Sequence, residues 1–198
     1  MRLTRPELCR LGLRALLTVP ASPLLPLPAV GFQADDKSFS LDVPQSWQLD
    51  PRPPRAEQPT TLFRVLGSRA DAAFVATVEP SAVKRLGELG SLDAVAKRYV
   101  ASQPQPATLL QAAKVPRPSM FAIDMYELRL RTGSTEQVVR LGLQQSRMYK
   151  LAVTLPAAPS PELKAEAEAL VQSYQAFPLN IGCLRESNAG TLLPGVCY

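Results

Sequence analysis

The chain contains no histidine among its 198 residues, and this absence removes several classes of function. Without histidine there is no Ser-His-Asp or Cys-His catalytic system, no histidine-ligated metal and no histidine pH switch. Glycine is also scarce, with 10 residues against 20 prolines, and the sequence has no Gly-rich phosphate loop. It shows no nucleophile beside a base and no suitably paired acids. We therefore expect a protein that is not an enzyme.

Concentrated charge is lacking as well. The formal net charge is +5, but residues 1–31 hold four arginines and one glutamate, so the rest of the chain carries 18 basic and 16 acidic side chains. A domain that binds a nucleic-acid duplex needs a concentrated basic surface. The nearly balanced body therefore predicts no nucleic-acid partner.

The N-terminal region has no uninterrupted apolar run long enough to cross a membrane. Its apolar stretch, from about Leu11 to Val30, contains four prolines that would break a spanning helix. A basic start, an apolar stretch and the small residues at Ala29–Gly31 are typical of a cleaved export signal. The sequence predicts a cleavable signal over residues 1–31, a domain over 32–178 and a tail over 179–198. A disordered or structural N-terminus is the alternative.

Alternating apolar residues predict strands around Phe39–Val43, Leu62–Leu66 and Ala73–Val78, with a loop over 67–71. Three more strands, near 126–130, 139–143 and 149–155, have short connections that imply an antiparallel meander.

Trp47 follows the first strand and Pro44, so it is either a docking aromatic or a core residue whose indole N–H finds a partner. The core position is favoured.

Two helices have clear starts. Ser91 can cap a helix and precedes an apolar stripe at helical spacing. Ser160 is a second capping residue, Pro161 suits the first helical position, and the Glu162 carboxylate lies at the positive end of the helix dipole. Because strands cluster rather than alternate with helices, the order predicts an α/β (α+β) fold with an antiparallel or mixed sheet and helices packed on it.

The ordered set of elements resembles the PsbP family, the oxygen-evolving enhancer protein 2-like proteins with their PsbP-like and PsbP-domain relatives. The resemblance covers about residues 37–178. It rests on FSLDVPQSW, Val78-Glu79-Pro80, Leu89-Gly90-Ser91-Leu92-Asp93, MYELRLRTG, QVVRLGLQQSRMYKLAV and VQSYQAFPL, in that order. It implies a central antiparallel β-sheet sandwiched by α-helices.

The resemblance also implies a function. We expect a non-catalytic extrinsic protein of the chloroplast thylakoid lumen that associates peripherally with photosystem II, at its oxygen-evolving complex, and supports its assembly or stability. Calcium and chloride retention by the partner complex is a family implication, and no cofactor is expected on the chain itself. Alternatives are an assembly factor or subunit of photosystem I or an NDH-like complex, and a small-ligand or pigment-binding lumenal module.

Several departures from the family leave a paralogue open. Only Phe32 to Lys37 precedes the first predicted strand, the chain lacks histidine, the turn at Gln145-Ser146-Arg147 lacks a glycine, and residues 179–198 have no counterpart. A PsbP-like or PsbP-domain protein is therefore considered beside the photosystem II subunit.

Candidate partner-binding residues are basic and lie on the meander. Same-face alternation places Arg129 and Arg131 together, and further bases follow on the next strands, so a basic patch for an acidic loop of a membrane protein is one hypothesis and separate solvated charges the other. The set is Arg129, Arg131, Arg140, Arg147 and Lys150.

The acidic residues Glu162, Glu166 and Glu168 are interpreted as a solvated helix face, and no metal site is expected.

The tail contains Cys183 and Cys197, the two cysteines that remain after removal of the predicted signal. An exported chain meets a more oxidising compartment than the cytosol, so an intramolecular disulfide between them is predicted. The alternative is a pair of free thiols in a disordered tail.

Overall fold

A computed structural model describes residues 28–34, 37–50, 63–119, 121–178, 184–186 and 192–194. The predicted signal lies outside the described residues up to position 27, and so do Cys183 and Cys197. The strands are β1 (Ala29–Gln33), β2 (Phe39–Pro44), β3 (Gln48–Asp50), β4 (Phe63–Arg69), β5 (Ala72–Pro80), β6 (Ala107–Val115), β7 (Met125–Thr132), β8 (Thr135–Gln144), β9 (Arg147–Pro156), β10 (Gln175–Ala176), β11 (Leu184–Glu186) and β12 (Leu192–Pro194). The α-helices are α1 (Leu92–Ala101) and α2 (Pro161–Ser173).

Seven strands form one antiparallel sheet in the order β3-β4-β5-β9-β8-β7-β6. The predicted meander is strands β7 to β9, joined by two-residue turns. The turn between β8 and β9 places both Gln145 and Ser146 at positive φ, 52° and 57°. A hairpin turn of this kind favours asparagine and glycine, so two ordinary side chains occupy a strained turn here.

The two faces of this sheet have separate cores, which explains why helices lie on both sides. Alternate residues of the strands point to opposite faces. On β9, Tyr149 and Leu151 belong to the core under α2, whereas Ala152 belongs to the core under α1. The structure thus confirms the predicted helix-sandwiched antiparallel sheet.

Strand β2 forms a second, three-stranded sheet with β1 and β10, in the order β1-β2-β10. Helix α2 packs on β2, and the Ser173 hydroxyl accepts the Asp42 N–H at 2.8 Å. Phe39, at the start of β2, is fully buried, with its ring centroid 5.7 Å from that of Tyr174. This small sheet and α2 together cover one face of the large sheet.

Both helices begin as the sequence indicates. The Ser91 hydroxyl accepts the Ala94 N–H at 3.3 Å, and the Ser160 hydroxyl accepts the Leu163 N–H at 3.1 Å. These bonds satisfy N–H groups of the first turn that have no partner within the helix. Among the described residues, no helix is long and apolar enough to cross a membrane.

Three parts of the chain differ from the expectation. The loop expected over 67–71 is a two-residue turn at Ala70–Asp71, because β4 continues to Arg69. Strand β6 was not predicted: it is an edge strand whose residues are mostly exposed or half-buried, so it lacks a clear alternation. Strand β1 lies across the predicted end of the signal at residue 31, and its Ala29 pairs with Pro44 of β2.

Candidate functional site

Trp47 lies in the core and is only 5% exposed. The Pro44 carbonyl accepts the Trp47 N–H at 2.9 Å, so the turn after β2 directs the chain inward. The indole Nε1–H donates to Glu166 Oε2 at 3.0 Å, and the ring packs on Phe74 with centroids 5.8 Å apart. The tryptophan is therefore a core residue with a polar partner.

Glu166 is the centre of a buried polar cluster. Its Oε2 atom accepts hydrogen bonds from Trp47, from the Ser46 hydroxyl at 2.8 Å and from the Arg69 guanidinium. Burial by itself raises the pKa of the Glu166 carboxyl, but the hydrogen bonds from Ser46, Arg69 and Trp47 outweigh burial and lower that pKa below its ordinary value. The hydrogen bond to Glu166 in turn raises the pKa of Arg69. Both groups are ionised at neutral pH.

A second cluster joins the sheet to α2. Arg129 Nη1 and Nη2 donate to the two carboxylate oxygens of Glu168 at 2.5 and 2.8 Å, and Arg129 Nε and Nη2 donate to Glu127 Oε1 at 3.1 and 3.0 Å. The hydrogen bond from Arg129 lowers the pKa of Glu168 against the opposing effect of burial. A guanidinium held at both ends by carboxylates is a structural clamp between β7 and α2.

Arg140 continues this second cluster and is 7% exposed. Its Nε donates to Glu127 Oε2 at 3.1 Å, and its Nη1 lies 3.5 Å from the carbonyl oxygens of Gln172 and Tyr174. Glu127, Arg129, Arg140 and Glu168 thus form a charge-balanced chain of two carboxylates and two guanidinium groups.

The remaining predicted basic residues do not lie together. Arg131 is exposed on the α2 face at the end of β7, and Lys150 lies on the α1 face because it is paired with Leu141. Across the sheet, Arg131 is aligned with Leu155 of β9, and Arg147 lies eight residues before Leu155 on that strand. At 3.3 Å per residue, Arg147 is about 26 Å from Arg131 along the strand direction. The expectation of one basic patch is therefore revised: Arg129 and Arg140 are paired with carboxylates. Lys150 lies on the opposite face of the sheet from Arg131, and Arg147 lies on the same face as Arg131 but far from it. Their role in partner binding stays a prediction.

The acidic residues of α2 also differ from their interpretation as a solvated face. Glu162 is exposed, but Glu166 is 5% exposed and Glu168 is clamped by Arg129. Glu166 lies three residues after Leu163 and four before Leu170, on the buried stripe itself, and that spacing is the sequence signal that could have placed it. Across the described ranges, no group of three or more Cys, Asp or Glu side chains could hold a metal ion.

A cavity of about 110 Å³ lies between the end of α2, strand β10, strands β6 to β8 and residues 116–118 and 122–123 of the connection between β6 and β7. The Ile123 N–H donates to the Ala176 carbonyl at 3.0 Å and fixes the loop to β10. Arg117 braces the loop by donating from Nε and Nη2 to the two carboxylate oxygens of Asp124 at 2.5 and 2.6 Å. The lining residues are Val115, Pro116, Pro118, Ala122, Ile123, Met125, Arg140, Gln172, Tyr174, Gln175 and Ala176.

These features define an α+β protein in which one antiparallel sheet is covered by a helix on each face and its larger core contains two ion-pair clusters. The sequence profile of the PsbP family matches residues 30–176. That range is most of the chain, so the protein belongs to the PsbP family.

The solved structure of a cyanobacterial family member agrees with the fold. Cyanobacterial PsbP (CyanoP) from Synechocystis sp. PCC 6803 is 13% identical, with a TM-score of 0.57 over 81% of this chain and 99% of that one. The Ran-binding protein Mog1p of Saccharomyces cerevisiae is 9% identical, with a TM-score of 0.46 over 76% and 96% of the two chains. LpqN of Mycobacterium tuberculosis, a protein involved in cell envelope biogenesis, is 12% identical, with a TM-score of 0.43 over 76% of this chain and 91% of that one. Among curated proteins no match is found.

Proposed function

We propose that this chain is a non-catalytic extrinsic protein of the chloroplast thylakoid lumen that associates with photosystem II and supports its assembly or stability. The observation that carries the proposal is family membership over residues 30–176. The likeness to cyanobacterial PsbP extends over 99% of that chain, so the family fold is present as a whole.

The N-terminal region supports delivery to the lumen. Its basic start, interrupted apolar stretch and small-residue site have the layout of an export signal. A protein delivered in this way reaches the lumenal side of the thylakoid membrane, where the extrinsic parts of photosystem II are exposed.

Attachment by charge fits basic residues that reach the surface on both faces of the sheet. Arg131 is exposed on the α2 face and Lys150 is half-buried on the α1 face, so each marks one candidate docking side. Contacts between exposed charges weaken as salt shortens the Debye length from about 8 Å at physiological strength to about 3 Å at 1 M. We expect a wash with 1 M NaCl to release the protein from lumen-side membranes.

The experiment compares the two faces directly. Arg131→Glu and Lys150→Glu each reverse one charge outside the buried clusters, so both variants should fold, and each is the control for the other. We expect one of them to bind salt-washed photosystem II membranes more weakly than the unmodified protein. Release by detergent only, together with unchanged binding of both variants, would refute attachment by these charges.

A further inference from the structure

We infer that the cavity beside Arg140 binds a carboxylate carried by a short aliphatic group, and that Arg140 is the residue that holds the anion. The ligand arrives either as a free short-chain acid or as the C-terminal residue of a polypeptide. This inference rests on the geometry of the cavity and does not depend on the partner complex.

The hydrogen bonds of Arg140 are incomplete. A guanidinium has five N–H donors. Nε donates to Glu127 at 3.1 Å, Nη1 reaches two carbonyl oxygens only at 3.5 Å, and within the described part of the chain Nη2 has no hydrogen bond. The Arg140 side chain is only 9% exposed, and no atom of it belongs to the fully buried atoms without a partner in the described part of the chain, so the free Nη2 donors remain accessible in a side chain that has little contact with solvent. Because Arg140 lines the cavity, an anion bound there could accept hydrogen bonds from Nη2.

The neighbouring arginine shows the contrast. Arg129 uses Nε, Nη1 and Nη2 in short bonds to Glu127 and Glu168, so its donors are occupied by the protein. Arg140 takes part in the same cluster but lines the cavity. The arginine that keeps unused donors is therefore the one that lines the cavity.

The walls select an apolar group. Most of the lining side chains are aliphatic, among them Val115, Ile123 and Met125, and two prolines stiffen the loop that forms the outer wall. An apolar cavity of about 150 Å³ in another protein holds one benzene molecule. A volume of about 110 Å³ therefore suits a ligand the size of propionate or butyrate and is too small for a pigment.

The charge of the site selects a carboxylate over a phosphate. A planar carboxylate matches two parallel N–H groups of one guanidinium. Only one arginine lines the cavity, and Glu127 already lies 3.1 Å from its Nε. Because the two guanidinium groups of the cluster already balance Glu127 and Glu168, every negative charge of a ligand is added to a neutral cluster, and a monoanion is disfavoured less than a dianion.

Titration of the ¹⁵N-labelled full chain with sodium propionate and sodium butyrate tests the inference. We expect saturable shifts of the Ala122, Ile123 and Ala176 amide resonances, and weaker binding of uncharged propionamide by at least about tenfold, because hydrogen bonds to charged groups are the stronger ones. Arg140→Gln should weaken propionate binding by at least about tenfold, whereas Arg131→Gln should not change it. Arg131 is exposed and lies four residues along β7 from Glu127, the residue that pairs with Arg140.

A second variant covers the case in which Arg140→Gln fails to fold. Val115→Phe keeps Arg140 and fills the cavity, so it should also abolish propionate binding. Peptides that end in alanine, with a free or an amidated C-terminus, identify the source of the carboxylate. If the peptide with a free C-terminus binds more tightly than propionate, the ligand is a polypeptide terminus. If propionate binds and the peptides do not, the ligand is a free acid. The inference is overturned if neither acids nor free peptides bind, or if binding is the same in Val115→Phe.

Discussion

Glu166→Gln is the substitution that most directly probes how α2 is joined to the sheet. The change keeps the size of the side chain but removes its charge. In the native structure a single oxygen, Oε2, accepts hydrogen bonds from Ser46, Trp47 and Arg69. A glutamine can offer one carbonyl oxygen to these donors, but the bonds from Ser46 and Trp47 are then no longer charge-assisted, and the Arg69 guanidinium loses its counter-charge.

The expected cost follows from these three bonds. Hydrogen bonds to a charged group contribute about 1.5–3 kcal/mol and neutral ones about 0.5–1.5 kcal/mol, so the weakened bonds from Ser46 and Trp47 lose about 2–3 kcal/mol in all, besides the lost charge pairing of Arg69. The glutamine also avoids the burial cost of the carboxylate, which offsets part of this loss. We expect Glu166→Gln to lower the free energy of unfolding by about 2 kcal/mol at neutral pH.

Urea unfolding followed by the fluorescence of Trp47 is the assay, since this is the only tryptophan in the chain and it donates to Glu166. The matched control is Glu162→Gln, one turn earlier on α2, where the carboxylate is exposed. Because the folded-state pKa of Glu166 is lowered, its stabilisation is present above the unfolded-state pKa and is lost as the pH falls through the folded-state value. The free energies of unfolding of the unmodified protein and of Glu166→Gln should therefore converge in acid. Equal stabilities of Glu166→Gln and Glu162→Gln at pH 7 would refute the reasoning.

Three further predictions concern the backbone, each checked by thermal unfolding. Gly67→Ala should lower the free energy of unfolding by about 1–3 kcal/mol, because a Cβ would lie 2.1 Å from the buried Phe74 ring; an unchanged midpoint would contradict this. Ser146→Gly should stabilise the chain by about 1 kcal/mol by relieving a positive φ of 57°, and a loss of stability would count against strain in that turn. A chain beginning at Phe32 should be about 1–2 kcal/mol less stable than one beginning at Pro28, because it lacks three of the five β1 pairs with β2; equal midpoints would show that β1 contributes little.

The parts of the fold that could be predicted from sequence are those where one local signal dominates. Strand β7 alternates in burial, β8 and β9 contain long buried runs, and the turns between them are short, while Ser91 and Ser160 are strong helix starts. Strand β6 was missed because an edge strand buries little on either side and shows no period. Strand β1 was missed because its pairing with β2 is a long-range contact beside a segment with signal-like composition.

The candidate sites show a sharper limit. Alternation places Arg129 and Arg131 on one face, but it cannot show that α2 covers Arg129 and leaves Arg131 exposed. Glu127 lies two residues from Arg129 on the same face of β7, but Glu168 becomes a partner of Arg129 only after α2 packs on the sheet, 39 residues beyond the arginine. Pairing between distant residues leaves no periodic trace, so the buried clusters and the cavity could be found only in the folded chain.

The association with photosystem II is the central claim, and native gel electrophoresis of thylakoid membranes tests it most directly. Membranes containing an epitope-tagged full-length protein are solubilised with a mild detergent at low salt, and the tag is located after separation. We predict that the tag migrates with photosystem II or its assembly intermediates and leaves that band after a 1 M NaCl wash of the membranes. Migration with photosystem I or an NDH-like complex, or recovery of all the protein in the free lumenal fraction, would contradict the claim.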